Sequence, residues 1–217
     1  MRAKLSFGAA TILFVVCGAA HAANVPVRIT DQNGDPAANA VIVLSNDMTA
    51  AGRLLPGQLP TSKLVDQRNE TFIPHVTVIP RNGEVSFANT DAPLHQVYSF
   101  SPVKQFELSL APGETSTGIV FDRVGVAAIG CNIHDHMIAY IFVTDSPWTV
   151  ITDENGQANV SDVPAGTYNA EIWHPRIPPA TETPNSRLII GDAGARLEIS
   201  IDLLPDRNEH RAHGGRY

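Results

Sequence analysis

The chain has 217 residues and carries 15 Lys and Arg against 22 Asp and Glu, a formal charge of −7. So acidic a surface repels a phosphate backbone, which excludes nucleic acid as a natural partner and favours a cationic protein or a metal ion. No stretch approaches the roughly 20 consecutive apolar residues of a membrane-spanning helix, so no membrane span is expected.

At the N-terminus Arg2 and Lys4 lead into an apolar run from Leu5 to Ala20, which ends in Ala20-His21-Ala22. A charged head, a short apolar middle and a small-residue exit make residues 1–22 a secretory signal peptide cut after Ala22, and the mature protein periplasmic. Cys17 leaves with it, since Val16 is bulkier than a lipoprotein peptidase accepts. Loss of Arg2 and Lys4 leaves 13 basic residues against 22 acidic ones, a charge of −9.

Beyond the leader, helical periodicity is nearly absent. Short runs rich in Val, Ile, Thr and aromatic residues recur between Gly, Pro, Asn and Asp clusters, the pattern of β-sandwiches. In chain order, strands are expected at Val25–Thr30, Ala40–Leu44, His75–Ile79, Glu84–Asn89, Gln96–Phe100, Phe106–Leu110 and Thr115–Phe121. They continue at Gly125–Ile129, Ala139–Val143, Trp148–Thr152, Ala158–Val160, Gly166–Trp173, Arg187–Ile190 and Ala195–Leu203. Turn signals such as Gln32-Asn33-Gly34-Asp35, Arg81-Asn82-Gly83 and Glu154-Asn155-Gly156 separate them. The fold class is all-β.

Two patterns alternate along this string. The opening pair, joined by an Asn-Gly-Asp-Pro turn, and the later Asp153-Glu154-Asn155-Gly156 and Pro164-Ala165-Gly166-Thr167-Tyr168 turns resemble a carboxypeptidase-regulatory-like, transthyretin-type sandwich. That resemblance implies a discontinuous domain over residues 24–50 and 146–204. Residues 60–145 would form a second domain inserted in or adjoining the first, because the termini of a sandwich lie close enough to tolerate insertion. The polar segment from Pro56 to Arg68 reads as the linker into it, and Asp145-Ser146-Pro147 as the linker out. Residues 205–217 are polar and without apolar period, and are expected to be a disordered tail.

Cys131 is then the one cysteine of the exported chain. Without an internal partner in an oxidising compartment it is idle, intermolecular or a ligand. The segment Cys131-Asn132-Ile133-His134-Asp135-His136-Met137 favours the ligand. A one-electron copper site of the blue type uses a thiolate, two imidazoles and a weak thioether. Cys131, His134 and Met137 supply three of these from one tight loop. Within that loop only His136 could add another imidazole, whereas His95, after the Asn89-Thr90-Asp91-Ala92-Pro93-Leu94 turn, fits the role from elsewhere.

At these residues the chain resembles the cupredoxins, most closely the amicyanin-like proteins and the family known as methylamine utilization proteins. Phe72-Ile73-Pro74, Gly83-Glu84-Val85-Ser86-Phe87-Ala88-Asn89, His95-Gln96-Val97 and the stretch from Phe121 to Val143 follow the family order. The resemblance implies a Greek-key sandwich with His95, Cys131, His134 and Met137 binding one type 1 copper ion. It also implies that Asn89 hydrogen-bonds across to the cysteine loop, and that the protein carries single electrons to or from a redox partner such as a c-type cytochrome or a dehydrogenase. Ile133 and Asp135 stand where the family pattern has prolines. His136 stands where an apolar residue is expected, placed to tune docking or to titrate near neutrality.

Gly130 precedes the cysteine where multicopper oxidases and copper nitrite reductases place a histidine, and a four-ligand site has no open position for substrate. Electron transfer without bond-making catalysis is therefore expected. The alternative is a copper-handling or adhesion module without redox turnover, suggested by an outer sandwich that an electron carrier does not need. Other features read more plainly. His75 is an edge or surface histidine, Trp173 is core and His174 lies at the surface or in a turn. Asn69-Glu70-Thr71 and Asn159-Val160-Ser161 match a short glycosylation pattern that often arises by chance.

Overall fold

The computed structural model describes residues 22–47, 59–179, 181–191 and 193–206. All but the last residue of the expected leader, Cys17 included, and the tail beyond residue 206 lie outside the described residues. Sixteen strands make up the described chain. They are β1 (Ala22–Asp31), β2 (Val41–Ser45), β3 (Ser62–Gln67), β4 (Phe72–Ile73), β5 (Val76–Pro80), β6 (Gly83–Asn89), β7 (His95–Ser101) and β8 (Lys104–Leu110). The remaining eight are β9 (Ile119–Phe121), β10 (Gly125–Cys131), β11 (Ile138–Thr144), β12 (Thr149–Ile151), β13 (Gln157–Pro164), β14 (Gly166–Trp173), β15 (Asn185–Ile190) and β16 (Leu197–Ile201). No described helix is long and apolar enough to cross a membrane.

The strands assemble into four sheets, ordered β13-β1-β16, β12-β2-β14-β15, β4-β3-β6-β9 and β5-β11-β10-β7-β8. The first two enclose one core, in which Val25, Val27 and Ile29 of β1 meet Ile42, Leu44, Ala170 and Ile172 of the facing sheet. The other two enclose a second core around Phe72, Phe87, Phe121, Ile129 and Ile141. Alternation builds both: in β1 every second residue is buried while the residues between face solvent.

A third, smaller apolar layer joins the two sandwiches. Val76 and Val78 of β5 and Tyr140 and Phe142 of β11 point away from their own core toward Val41, Val43, Ile151 and Trp173. Trp173 packs on Tyr140 and Phe142 at ring separations of 5.5 and 5.6 Å. Both β5 and β2 are consequently buried on two faces, and their runs Val-Thr-Val-Ile and Val-Ile-Val-Leu are correspondingly apolar. Arg81 and Asp145 form an ion pair beside the chain's return to β12.

Two expectations are corrected. The segment from Pro56 to Arg68 is not all linker, since Ser62–Gln67 is a strand that pairs in parallel with β6. Its polar look comes from an exposed first half, Ser62, Lys63 and Leu64, while in the second half Val65 and Gln67 are buried. His174 opens a turn, its carbonyl accepting from Ile177 N at 3.1 Å, but it is buried there and not at the surface. Its Nε2–H donates to Ala38 O at 2.9 Å and its Nδ1 accepts from Arg176 N at 3.0 Å. Burial pushes its pKa down to about 4. His75 is half-buried against the Tyr140 ring, with Nδ1 3.1 Å from Ile138 O.

Candidate metal centre

Strand parity sets the site. On β10 the inward residues are Ala127, Ile129 and finally Cys131; on β11 they are Ala139, Ile141 and Val143. Met137 continues the β11 row by one step and is buried in the same core. Antiparallel pairing of β10 with β7 sets Cys131 opposite Val97, so that His95, the inward residue two before Val97, lies past the end of β10. The alternation that forms the core thus delivers a thiol, an imidazole and a thioether to one end of one sheet face.

The loop between β10 and β11 adds His134. Asn132 is fastened to β7 twice, its N–H to Gln96 O at 3.1 Å and its side-chain amide to Gln96 Oε1 at 3.0 Å. Met137 N–H closes the loop on His134 O at 3.0 Å. These three bonds hold the loop with the His134 ring turned inward over the thiol.

His95, Cys131 and His134 form a group whose candidate ligand atoms all lie within 4.8 Å of one another. Cys131 Sγ is 3.6 Å from His95 Nδ1 and 4.0 Å from His134 Nδ1. Bonds of about 2.0 Å to nitrogen and about 2.3 Å to sulfur, meeting at a wide angle, separate their ends by about this much. Residues and spacing therefore fit a metal ion at the point the three atoms share. A thiolate with two imidazoles, and a buried thioether at the end of the neighbouring row, is a soft donor set that suits copper. Exposure is graded: His95 is 0 % and Cys131 3 % exposed, whereas the His134 side chain is 19 % exposed. Leu94 and Ile133, beside the two histidines, are exposed apolar residues.

With both Nδ1 atoms inward, both Nε2 atoms point outward to carboxylates. His95 Nε2 is 2.9 Å from Asp91 Oδ2. His134 Nε2 is 3.6 Å from one oxygen of Glu70, and His136 Nε2 is 3.4 Å from the other. Burial alone would raise the Asp91 carboxyl, but donors from Glu70 N, His95 and Asn69 N outweigh it and hold Asp91 below its usual range. For His95 the acceptor on the outer nitrogen fixes the ring and its tautomer, the arrangement metal-binding histidines commonly have, while Glu70 meets His134 and His136 at ion-pair distance.

Neither carboxylate is apparent from the sequence pattern. Asp91 sits four residues before His95 and could have been noticed as its neighbour across a turn. Glu70 carries no local signal, because it reaches the loop from β3–β4. Asn89 also differs from expectation. Its amide donates to Pro93 O and Leu110 O at 2.9 and 2.8 Å, and its Oδ1 accepts from Asp91 N at 2.9 Å. These bonds hold the turn before His95 and the end of β8, not the cysteine loop.

No family model matches the sequence, and no curated protein matches it. Among solved structures, a purple cupredoxin from Nitrosopumilus maritimus is similar at 19% identity and a TM-score of 0.35, over 38% of this chain and 99% of that one. An oxidised amicyanin variant is similar at 16% identity and a TM-score of 0.35, over 38% and 81% of the two chains. A copper-containing nitrite reductase from Thermus scotoductus is similar at 23% identity and a TM-score of 0.36, but the match spans 46% of this chain and only 27% of the reductase.

Proposed function

We propose that the chain is a periplasmic type 1 copper protein that carries single electrons between redox partners. The observation that carries this reading is the buried Cys131 thiol with the Nδ1 atoms of His95 and His134 facing it at 3.6 and 4.0 Å. Met137, 2 % exposed at the head of β11, would be the fourth, weak donor. When bound, copper supplies one-electron chemistry between its cuprous and cupric forms.

The rest is the work of the chain. Cys131 and His95 come from strands of a packed sheet, so their positions resist change when the charge between them changes. His134 is the exposed edge of the cluster and the natural exit for an electron. Asp135 and Glu70 beside it are negative, and together with the acidic whole they would steer a basic partner such as a c-type cytochrome or a dehydrogenase. Gly130 before the cysteine and the closed donor set favour a carrier over an enzyme.

We assign residues 60–145 to the copper-binding cupredoxin domain, and 24–50 with 146–204 to the outer, transthyretin-type sandwich. The outer sandwich, with a core of its own and Trp173 packed on the back of the copper sheet, supports a second reading as a copper-handling or adhesion module. The two readings part on redox cycling. Visible and EPR spectra of the Cu(II)-loaded protein beside Cys131→Ser are the test. An intense thiolate-to-copper band that is lost in the variant, with a reversible potential, is the outcome expected of the carrier. A colourless wild type would sink the type 1 site. A coloured protein that hands its copper to a chelator without redox cycling would favour the second reading.

A further inference from the structure

Between β3 and β4 the chain turns through Asn69 and Glu70, both at φ 53°. Left-handed backbone is tolerable for Asn but strained for Glu, and it persists only where the surroundings impose it. Here Asp91 imposes it: one carboxylate oxygen accepts from Asn69 N, the other from Glu70 N at 2.9 Å. The same Asp91 carboxylate meets His95 Nε2. The turn so held projects the Glu70 side chain over the loop between β10 and β11, with its two oxygens within ion-pair range of Nε2 of His134, at 3.6 Å, and Nε2 of His136, at 3.4 Å.

We propose that Glu70 is a positioning residue of the metal centre. It fastens the His134–Met137 loop from outside, fixes the His134 ring with Nδ1 inward before metal arrives, and biases the bound ion toward its oxidised form. The inference rests on the copper reading above and deepens it. Three links make the chain of cause. Asp91 joins His95 to the turn, the turn holds Glu70 in a conformation it would not choose, and Glu70 reaches the one histidine of the cluster that comes from a loop. That loop has the most to gain from an outside fastener, since Ile133 and Asp135 give its backbone none of the stiffness of proline. A carboxylate charge near the ion also favours the more positive state of the metal. His136 gives the carboxylate a second partner on the same loop, so both oxygens bear on the segment that must stay ordered.

The test compares the purified wild type with Glu70→Gln, Glu70→Gly and the control Glu107→Gln, which removes an equal charge from an exposed position on β8. In Glu70→Gln, Cu(II) affinity by chelator competition falls about tenfold, and the reduction potential rises. In the metal-free protein the ring signals of His134 and His136 shift and the amides of residues 133–136 exchange faster. Glu70→Gly gives the same changes at the centre while thermal stability holds or rises, because glycine relieves the left-handed backbone. That combination separates a positioning role from general loosening, which would lower both. A coloured wild type whose affinity and potential match those of Glu70→Gln overturns the proposal and leaves the copper centre standing. A wild type without the thiolate band overturns the copper reading instead. The metal-free ring signals and amide exchange then decide the fastening role, and unchanged values in Glu70→Gln overturn it.

Discussion

The ring of Tyr98 occupies the space that a side chain at Gly130 would need: a Cβ there would fall 2.7 Å from Tyr98 Cζ. The two residues are cross-strand partners on β7 and β10, one step before Cys131. The position before the cysteine is thus glycine for a packing reason, and a tyrosine from the adjacent strand covers it. The obstructing atoms are the far end of a half-buried side chain, so the ring can move aside. Gly130→Ala is expected to cost about 1 kcal/mol. The cost should vanish in a Tyr98→Ala background, which a double-mutant cycle in urea would read as coupling between the two sites.

Asp91 supports more of the centre than its place in a turn suggests. Removing its carboxylate leaves Asn69 N, Glu70 N and His95 Nε2 without their acceptor. Asp91→Ala is expected to cost about 2–3 kcal/mol in chemical denaturation and to weaken Cu(II) binding about tenfold. Asp91→Asn, which keeps an acceptor oxygen, should lose less of both. Equal stability of Asp91→Ala and wild type would show that the turn is held by something else.

Acid should weaken the fold through His174. Its Nε2–H is committed to Ala38 O and its Nδ1 must stay bare to accept the Arg176 N–H, so protonation sets two N–H groups against each other. The folded pKa is pushed down to about 4 from 6.5, first by burial. The unfolded chain therefore binds the proton more readily, and stability is complete above about pH 6.5 and falls as the pH drops toward 4. The loss from this one group is about 3 kcal/mol by the lower end of that range. Burial lowers His75 as well, which adds to the same trend. Urea midpoints measured from pH 7 to pH 4 should show the slope, and His174→Gln should flatten it.

Gly156 is fixed by backbone on two sides. It sits at φ +68° and a Cβ would lie 2.3 Å from Ile29 O and 3.1 Å from Ala37 N. It also takes part in the join between the turn and β1, its carbonyl accepting from Ile29 N at 2.8 Å. Neither obstacle can swing away. Gly156→Ala is expected to cost at least about 2 kcal/mol, readable as a drop in thermal midpoint, in contrast to the mild effect at Gly130.

Much of the strand order was legible because alternation and turn chemistry are local. The Asp-x-Asn-Gly turns show it plainly: Asp31 Oδ1 accepts from Asn33 N and Asp35 N, and Asp153 Oδ1 accepts from Asn155 N and Gln157 N, as turns of this composition should. β3 escaped notice because three of its six residues face water and its partner strand β6 lies farther along the chain. β4 escaped because two residues make no pattern.

For the centre, the sequence by itself determined which donors exist. It also determined that a short loop must carry His134. What only the tertiary structure decided is how those donors are held. The Asp91 and Glu70 contacts, the commitment of Asn89 to the turn before His95, the burial of His174 and the seating of Trp173 on Tyr140 and Phe142 all join segments distant in sequence or separated by a turn. Side-chain period fixes a face, but a hydrogen bond between two such segments depends on how sheets stack and loops close, and no local pattern records that.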